Sequence, residues 1–284
     1  MADFPTLAQI DEAVAYILSK APGYKPAIGI VFGTGLDGLG DKFDDNSKTI
    51  VIPFTDIPYF IKTTVEGHRG NVLINTIAGV PTICLQGRNH FYEGLSMQKI
   101  TFPIRVFARL GIKILILTNA AGSLIKTWTL GDIALVTDHI NLLGDNPLVG
   151  VNKDYFPPHS VRFPDMSNCY DAELRKKVKA SGDKLGIVLR EGVYVAMLGP
   201  TFETHADAVY LQRIGCDMAG MSTAPECIIA RHSGVKVVAL SVQTDIIDTE
   251  TPPNHLEILE VGRSATERIG RIFQDVLPTL LVGL

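Results

Sequence analysis

Paired cysteine motifs, long basic runs and long apolar stretches are absent from this sequence, and each absence argues against a class of protein. The four cysteines among 284 residues are scattered and form no C-x-x-C pair, so zinc ribbons and thioredoxin-like chemistry are not expected. The net charge is −4 and no long basic run occurs, which argues against nucleic acid as a partner. No apolar stretch approaches the ~20 residues of a membrane span, and the N-terminal segment lacks the basic and apolar regions of a signal peptide. We therefore expect a cytoplasmic protein with no membrane partner.

Short apolar runs rich in β-branched residues alternate with segments of helical periodicity. Strands are predicted at 27–32, 71–77, 80–85, 112–118, 132–137, 192–198 and 235–242, and helices at 7–18, 96–111, 171–186, 204–215 and 254–277. Several of these strands are apolar at both alternating positions, which is typical of strands covered on both faces. The run 71–85 predicts a hairpin around Ala78 and Gly79, so the sheet should be mixed. Without a linker or an internal repeat, residues 1–284 are predicted to form a single α/β domain, with a mixed central β-sheet flanked by helices.

Residues 33–38 read GTGLDG directly after the first apolar run, which is the glycine pattern of a dinucleotide site. Such a site also needs a following helix and an acid ~20 residues further on, at the end of the next strand. Here a short polar segment follows, and Asp56, at a suitable distance, lies between two prolines. Two other interpretations stay open: a tight turn that needs positive φ, or a nest of N–H groups that holds a small oxyanion together with the Thr34 hydroxyl.

A second candidate for anion binding is GRNHFYEG, at 87–94. Arg88, His90 and Tyr92 alternate there, so an extended chain would point them in the same direction. Arginine offers a planar fork to an oxyanion, and histidine can relay a proton near neutral pH. The same pattern would also fit an edge strand with a solvated polar face. His68, in TVEGHRGN, is ambiguous by itself.

Small, polar or aromatic residues follow several other predicted strands, where open α/β sheets bind their ligands. TNAAGSL, at 118–124, would let a ligand approach the backbone closely. Phe202 and Glu203 put a flat apolar ring beside a carboxylate, which suits a heteroaromatic base, although the same residues are typical of a helix N-terminus. The remaining candidates are Met221, Ser222, Thr244, Asp245 and His255. With no metal-ligand spacing and no Walker lysine, this set fits a site for an oxyanion, a polyol and a heteroaromatic base.

Taken together, the motifs resemble the trimeric, low-molecular-mass purine nucleoside phosphorylases. The resemblance covers about residues 8–280, and its main carriers are GTGL, TTVEGHRGN, QGRNHFYEG, TNAAGSL, GPTFET, GMSTAPECIIARH and NHLEIL, in the family's order. It implies the nucleoside phosphorylase fold and a homotrimer. It also implies phosphorolysis of purine ribonucleosides to the free base and ribose 1-phosphate, in purine salvage. Orthophosphate would be a co-substrate, and neither a cofactor nor a metal would be needed.

The resemblance also assigns the site, residue by residue. The residues that it assigns to phosphate binding are Thr34, His68, Arg88, His90, the backbone at Ala120, and Ser222. Those that it assigns to ribose binding are Tyr92, Met221 and His255, with Phe156 supplied by the neighbouring subunit. Those that it assigns to base binding are Phe202, Glu203, Gly220, Thr244 and Asp245. The implied catalytic residues are His90, Glu203, Asp245 and His255.

Three features depart from the family's pattern. Thr34 replaces a serine and keeps the hydroxyl, and the segment 154–164 that contains Phe156 is slightly longer than the family's loop. Asp245 stands where the family has asparagine. An ionised aspartate only accepts hydrogen bonds, so it favours a 6-aminopurine. A protonated aspartate can instead donate a hydrogen bond to N7 or O6 of the purine. Closeness to the Glu203 carboxylate favours the protonated form. A phosphorylase that prefers methylthioadenosine or adenosine, and a nucleoside-binding protein without turnover, therefore remain alternatives.

Overall fold

The computed structural model describes residues 4–41, 49–152, 155–156, 158–247 and 254–283. Within them the helices are α1 Leu7–Lys20, α2 Met97–Ile100, α3 Phe102–Leu110, α4 Ala172–Leu185, α5 His205–Arg213, α6 Ala224–His232 and α7 His255–Leu280. The strands are β1 Ile28–Phe32, β2 Ile50–Pro53, β3 Asn71–Ile77, β4 Val80–Gln86, β5 Ile114–Ser123, β6 Ile133–Asn141, β7 Leu189–Ala196, β8 Met218–Gly220 and β9 Lys236–Ile246.

The strands form one mixed sheet in the order β2-β3-β4-β1-β5-β8-β7-β6-β9. Strand β1 lies parallel to β4 and β5, while β3 is antiparallel to both β2 and β4. Strand β5 also pairs in parallel with β9, so β5, β8, β7, β6 and β9 close into a ring. Since helices cover the sheet, the predicted fold class is confirmed.

Two layers of helices bury the two faces of the sheet. Val31 of β1 packs in one apolar cluster with residues of α1, α3 and α6, including Ile17 and Phe107. Its neighbour Ile30 faces the opposite cluster, with residues of α4 and α7 such as Phe273. Alternate residues of a strand point to opposite faces, so an apolar run such as IGIVF is buried at every position.

The predicted turns and breaks mostly form where the sequence indicates. Ile77 pairs with Val80, and Ala78 and Gly79 take φ values of 49° and 78°, so the predicted hairpin is confirmed. The predicted helix 96–111 is divided at Thr101 into α2 and α3. Pro103 lies in the first turn of α3, where its missing N–H removes no helical hydrogen bond.

Strands β5 and β9 run further than the sequence predicts, and their extensions help to form the candidate site. The prediction ended them at residues 118 and 242, whereas they continue to Ser123 and Ile246. Their pairing shifts register between Ala121 and Gly122. The small residues of TNAAGS are therefore part of the strand itself. The short strands β2 and β8 were not predicted.

Among the described residues, the helices are too short or too polar to cross a membrane.

Candidate active site

A cavity of about 410 Å³ opens where β1, β4, β5 and β9 end. This volume lies within the range of small-molecule sites. Of the predicted site residues, the ones that line it are Thr34, Arg88, His90, Tyr92, Ala120, Phe202, Glu203, Gly220, Met221, Ser222, Thr244, Asp245 and His255. His68 and Phe156 do not line it. The structure thus brings together most of a site that is spread over more than 200 positions of the chain.

The glycines of the first loop allow close packing of backbones. A Cβ on Gly33 would lie 2.5 Å from the carbonyl oxygen of Thr118 in β5. Gly35 has a φ of +74°, and its Cβ would lie 2.8 Å from the carbonyl oxygen of Leu259 and 2.9 Å from Cα of Gly262, both in α7. The loop leads into a 3-10 turn at Asp37–Asp41, unlike the helix N-terminus that holds a pyrophosphate. Both glycines therefore serve to place Thr34, and the dinucleotide interpretation is wrong.

His68 lies behind Thr34, buried to 8% exposure. Its Nδ1 accepts the backbone N–H of Arg88 at 2.7 Å, so the ring proton is on Nε2, which lies 3.0 Å from the Thr34 hydroxyl oxygen. Burial holds the pKa of His68 well below its usual range, and the charges of His90 and Arg88 act in the same direction. A neutral His68 donates to Thr34, which leaves the Thr34 hydroxyl proton free to point into the cavity.

Arg88 is fixed by two partners and keeps one nitrogen without a hydrogen bond to the protein. Its Nε donates to Oε1 of Glu226 at 2.9 Å, and its Nη1 donates to the carbonyl oxygen of Thr118 at 2.9 Å. Both ions of the Arg88–Glu226 pair are buried. Nη2 is buried without a hydrogen-bond partner. Because an unsatisfied buried donor is costly, this nitrogen is well suited to bind an oxyanion.

His90 and Tyr92 form one wall of the cavity. Their rings stack with centroids 4.8 Å apart and planes 11° from parallel. Strand β4 ends at Gln86 and Tyr92 lies in a 3-10 turn at Phe91–Glu93. The edge strand and the extended chain expected from the alternation are therefore both wrong, although Arg88, His90 and Tyr92 do line one cavity. Burial lowers the pKa of His90, whose Nδ1 lies 3.5 Å from Oε1 of Glu93. Burial raises the pKa of Glu93, but hydrogen bonds from His90 and Thr64 outweigh it and bring the pKa to about 2.

Two carboxyl groups, Glu203 and Asp245, line another part of the cavity. Burial raises the pKa of each, and the charge of Asp245 raises that of Glu203 further. Helix α5 is capped by Thr204, whose hydroxyl accepts the Asp207 N–H at 3.1 Å. The helix-start interpretation therefore applies to Thr204, and Glu203 remains available to a ligand. Phe202 is 41% exposed, so its ring can cover a flat ligand.

His255 and Met221 lie at the remaining edge of the cavity. His255 is the first residue of α7, which Asn254 caps by accepting the Leu256 N–H at 3.0 Å. The Nε2 atom of His255 is 3.4 Å from the Glu66 carbonyl oxygen. A Cβ on Gly199 would lie 2.4 Å from Sδ of Met221, so this glycine makes room for the methionine side chain.

Several residues to which the sequence assigned no individual role, most of them within the quoted motifs, also belong to the site. Those that line the cavity are Val65, Glu66, Asn119, Ala121, Gly122, Pro200, Ala219 and Ile258. Behind it, the hydroxyl of Tyr194 accepts the Ser222 N–H at 3.2 Å. Thr223 has a φ of +66°, and its hydroxyl accepts from the Asn119 amide at 2.9 Å. Its backbone carries strain of about 1–3 kcal/mol, and that conformation places Ser222.

The family model described as the phosphorylase superfamily matches residues 27–278. The chain belongs to the phosphorylase superfamily. The family predicted from the motifs is therefore confirmed, as is the predicted type of fold.

Within this superfamily, the chain is similar to purine nucleoside phosphorylases over nearly its whole length. It is 42% identical to purine nucleoside phosphorylase 1 of Bacillus subtilis (strain 168), over 96% of this chain and 97% of that protein. It is 38% identical to the purine nucleoside phosphorylase of Mus musculus, over 95% and 94% of the two chains. A crystal structure of the Schistosoma mansoni enzyme in complex with adenosine matches with a TM-score of 0.88 and 39% identity, over 96% and 97%. The same enzyme in complex with inosine matches with a TM-score of 0.89 and 37% identity, over 98% of both chains.

Proposed function

We propose that this chain catalyses the phosphorolysis of purine ribonucleosides: nucleoside and orthophosphate give the free purine base and ribose 1-phosphate. The observation that carries the proposal is that one cavity holds both hydroxyl and guanidinium donors for an oxyanion and two carboxyl groups of raised pKa. The relatives named purine nucleoside phosphorylase support it. So do the matching Schistosoma structures, which contain adenosine, inosine or guanosine.

Phosphate is both the nucleophile and the electrostatic partner of the sugar in this mechanism. The hydroxyls of Thr34 and Ser222 and the free Nη2 of Arg88 bind its oxygens, and His90 donates a further hydrogen bond. As the glycosidic bond lengthens, the ribose gains oxocarbenium character. The phosphate anion stabilises this charge and then forms the bond to C1′. Orientation and preorganised charge supply the rate enhancement, and no covalent intermediate with the enzyme is needed.

The ribose lies between the phosphate and the base, against Tyr92 and Met221. His255 binds the 5′-hydroxyl, and its position at the start of α7 fixes the sugar relative to Thr34, which α7 contacts through the Gly35 loop. A polar partner at this end favours a 5′-hydroxyl over a methylthio group.

The purine leaves with negative charge that must be stabilised or neutralised. Glu203 binds the ring N–H, Phe202 covers the ring, and Thr244 and Gly220 lie beside it. Burial raises the pKa of Asp245, and the protonated form of this carboxyl can share its proton with N7. A protonated Asp245 donates to the leaving base as the family's asparagine would, whereas an ionised one accepts from a 6-amino group.

A substrate panel tests the proposal directly. Inosine, guanosine, adenosine and methylthioadenosine are each incubated with the enzyme, with and without orthophosphate, and release of the base is measured. We expect release from the ribonucleosides only when phosphate is present, and a loss of at least ~10²-fold in kcat for Glu203→Gln. Turnover without phosphate, or normal turnover by Glu203→Gln, would contradict it. A clear preference for methylthioadenosine would instead support the alternative phosphorylase that Asp245 suggests, and binding without release would indicate a nucleoside-binding protein.

We also propose that the chain acts as a cytoplasmic homotrimer that folds as one domain, with Phe156 closing the ribose site of the neighbouring subunit. The support is the family resemblance, together with the position of Phe156 outside its own chain's cavity. Around Phe156, the structure describes residues 155–156 and 158–164 but not residues 153, 154 and 157. No step of the mechanism requires a cofactor or a metal. Light scattering of the purified protein tests the trimer, and a raised KM for nucleoside in Phe156→Ala tests the shared site.

A further inference from the structure

Three side chains with metal-binding atoms meet at a place that does not belong to the active-site cavity. They are His139 in β6, Cys169 in the turn before α4, and Cys227 in the first turn of α6. One ligand atom from each, a ring nitrogen and two sulfurs, lies within 4.8 Å of the others. None of the three lines the active-site cavity. The proposed phosphorolysis therefore gives this cluster no role.

Polar contacts with neighbouring groups orient the three side chains of the cluster. The Cys227 thiol donates to the carbonyl oxygen of Cys169 at 3.6 Å. The sulfur of Cys169 lies 3.4 Å from Oδ1 of Asp138, a residue exposed to solvent. The imidazole of His139 is oriented by the Tyr170 hydroxyl, 3.0 Å from Nδ1. Metal-bound histidines commonly have such an oriented hydrogen bond at the ring.

A path from the solvent leads to the cluster. A second cavity, of about 620 Å³, is lined by His139 itself, by Ile228, which follows Cys227, and by Met166 from the turn that contains Cys169. The two cysteines are 3% and 0% exposed. An ion that enters this cavity therefore meets the imidazole first and then two sulfurs that are sheltered from bulk water.

We propose that His139, Cys169 and Cys227 form a binding site for a thiophilic divalent cation, for which Zn²⁺ is the natural probe, with the Asp138 carboxylate as the fourth donor. Two sulfurs, one imidazole and one oxygen are a ligand set that tetrahedral zinc accepts. A bound cation also removes the repulsion between the Asp138 carboxylate and a Cys169 thiolate.

The distances favour a cation over a disulfide. Zinc–sulfur and zinc–nitrogen bonds of ~2.3 and ~2.0 Å place tetrahedral ligand atoms roughly 3.5–3.8 Å apart. Because the three ligand atoms already lie within 4.8 Å of one another, binding needs a contraction of at most about 1.3 Å. A disulfide requires the sulfurs to approach to ~2.05 Å. That is ~1.7 Å closer than two zinc-bound sulfurs lie, and this further approach would have to be made by two side chains in a close-packed interior. The bridge to Cys227 would hold the first turn of α6, which also carries Glu226, the partner of Arg88.

Metal titration of the reduced, purified protein tests the proposal. Zn²⁺ is titrated in competition with a chromophoric chelator, and Co²⁺ serves as an optical probe of thiolate ligation. We expect one cation per chain, a thiolate-to-cobalt charge-transfer band, and a higher melting temperature with Zn²⁺ present, because a ligand of the native state stabilises it. Cys169→Ala and Cys227→Ala should each weaken binding by more than about 100-fold, a larger loss than for an outer-shell partner. The matched control is Cys216→Ala, a buried cysteine outside the cluster, and it should bind as the wild type does.

The thiolate-to-cobalt band distinguishes binding at this cluster from binding at the histidines of the active-site cavity, because histidine ligands do not give that band. Binding without the band, or binding that survives both cysteine variants, overturns the proposal. Reduced wild-type protein that binds no cation but forms a Cys169–Cys227 disulfide in air also overturns it. If either variant fails to fold, the stoichiometry and the cobalt spectrum of the wild type decide the question.

Discussion

The Nε2 atom of His68 lies 3.0 Å from the hydroxyl oxygen of Thr34, while Nδ1 of the same ring accepts the N–H of Arg88. One buried, neutral imidazole thus connects the loop after β1 with the loop after β4. The family resemblance placed His68 among the phosphate ligands. In the structure it stands behind Thr34, so we expect it to act on phosphate through that hydroxyl.

Thr34 and His68 should therefore behave as one unit in phosphate binding. Thr34→Val removes a hydroxyl that we propose binds phosphate, so KM for phosphate should rise by about 10-fold or more. His68→Ala should give a similar rise, and the double variant should cost clearly less than the sum of the two single changes. Steady-state kinetics at saturating nucleoside measure all three. Thr34→Ser is the control with near wild-type KM, and strict additivity of the two changes would contradict this arrangement.

The buried pair of Glu226 and Arg88 should be important for stability as well as for binding. Glu226→Ala leaves the guanidinium without its counter-charge, so the free energy of unfolding should fall by about 3–5 kcal/mol. KM for phosphate should rise too, because Arg88 is no longer oriented. Urea denaturation and phosphate kinetics measure the two effects. Glu173, which pairs with Lys176 on the surface, provides the control, since Glu173→Ala should change stability by less than about 1 kcal/mol.

Asp245 should determine the choice between 6-oxo and 6-amino purines. Asparagine offers both a donor and an acceptor at all pH values, whereas aspartate donates only when protonated. Asp245→Asn should therefore raise the ratio of kcat/KM for inosine to that for adenosine, by roughly 10-fold for one well-placed hydrogen bond. Asp245→Ala should lower activity towards both nucleosides. An unchanged ratio in Asp245→Asn would show that the charge at this position does not select the base.

The same variant should change the pH dependence of stability. Burial raises the pKa of Asp245 in the folded state, so the native protein holds a proton that the unfolded chain releases at about pH 3.9. Stability is then lost as pH rises from about 4 through the raised pKa. Asp245→Asn avoids this loss, so its melting temperature relative to the wild type should increase across that window and then level off. Melting curves between pH 4 and 8 measure the effect, and Glu173→Gln, at an exposed site, should follow the wild-type profile.

Local sequence patterns predicted most of the long elements and most of the cavity. Apolar runs such as 27–32 and the hairpin at Ala78 depend on neighbours in the chain. The short strands β2 and β8 depend instead on pairing with strands that are distant in sequence. Their three or four residues carry too little periodicity to predict a strand. Glu226 was missed for the same reason, since its partner Arg88 is 138 positions away and no rule of spacing connects them.

The cysteines show the same limitation. Scattered along the chain, they predicted no metal site. In the fold, β6, the turn before α4 and α6 bring two of them together beside His139. Sequence motifs with fixed spacing identify sites that one short segment forms. A site formed by residues from three separate elements has no such motif, so the sequence does not predict it.

The backbone contact at Gly35 and Gly262 limits the substitutions that this part of the protein can accept. Where the first loop crosses α7, two backbones touch, and a Cβ on Gly262 would lie 2.9 Å from the carbonyl oxygen of Thr34. The spacing between the Thr34 hydroxyl, for which we propose phosphate binding, and the helix that begins with His255 is therefore set by main-chain contact, with no side chain to adjust it. Residues proposed to bind the purine can be substituted, and such substitutions can change the preferred base. The backbone contact that aligns phosphate with the ribose does not tolerate substitution in the same way. We therefore expect that variants of this fold with new specificity differ mainly in their base-binding residues.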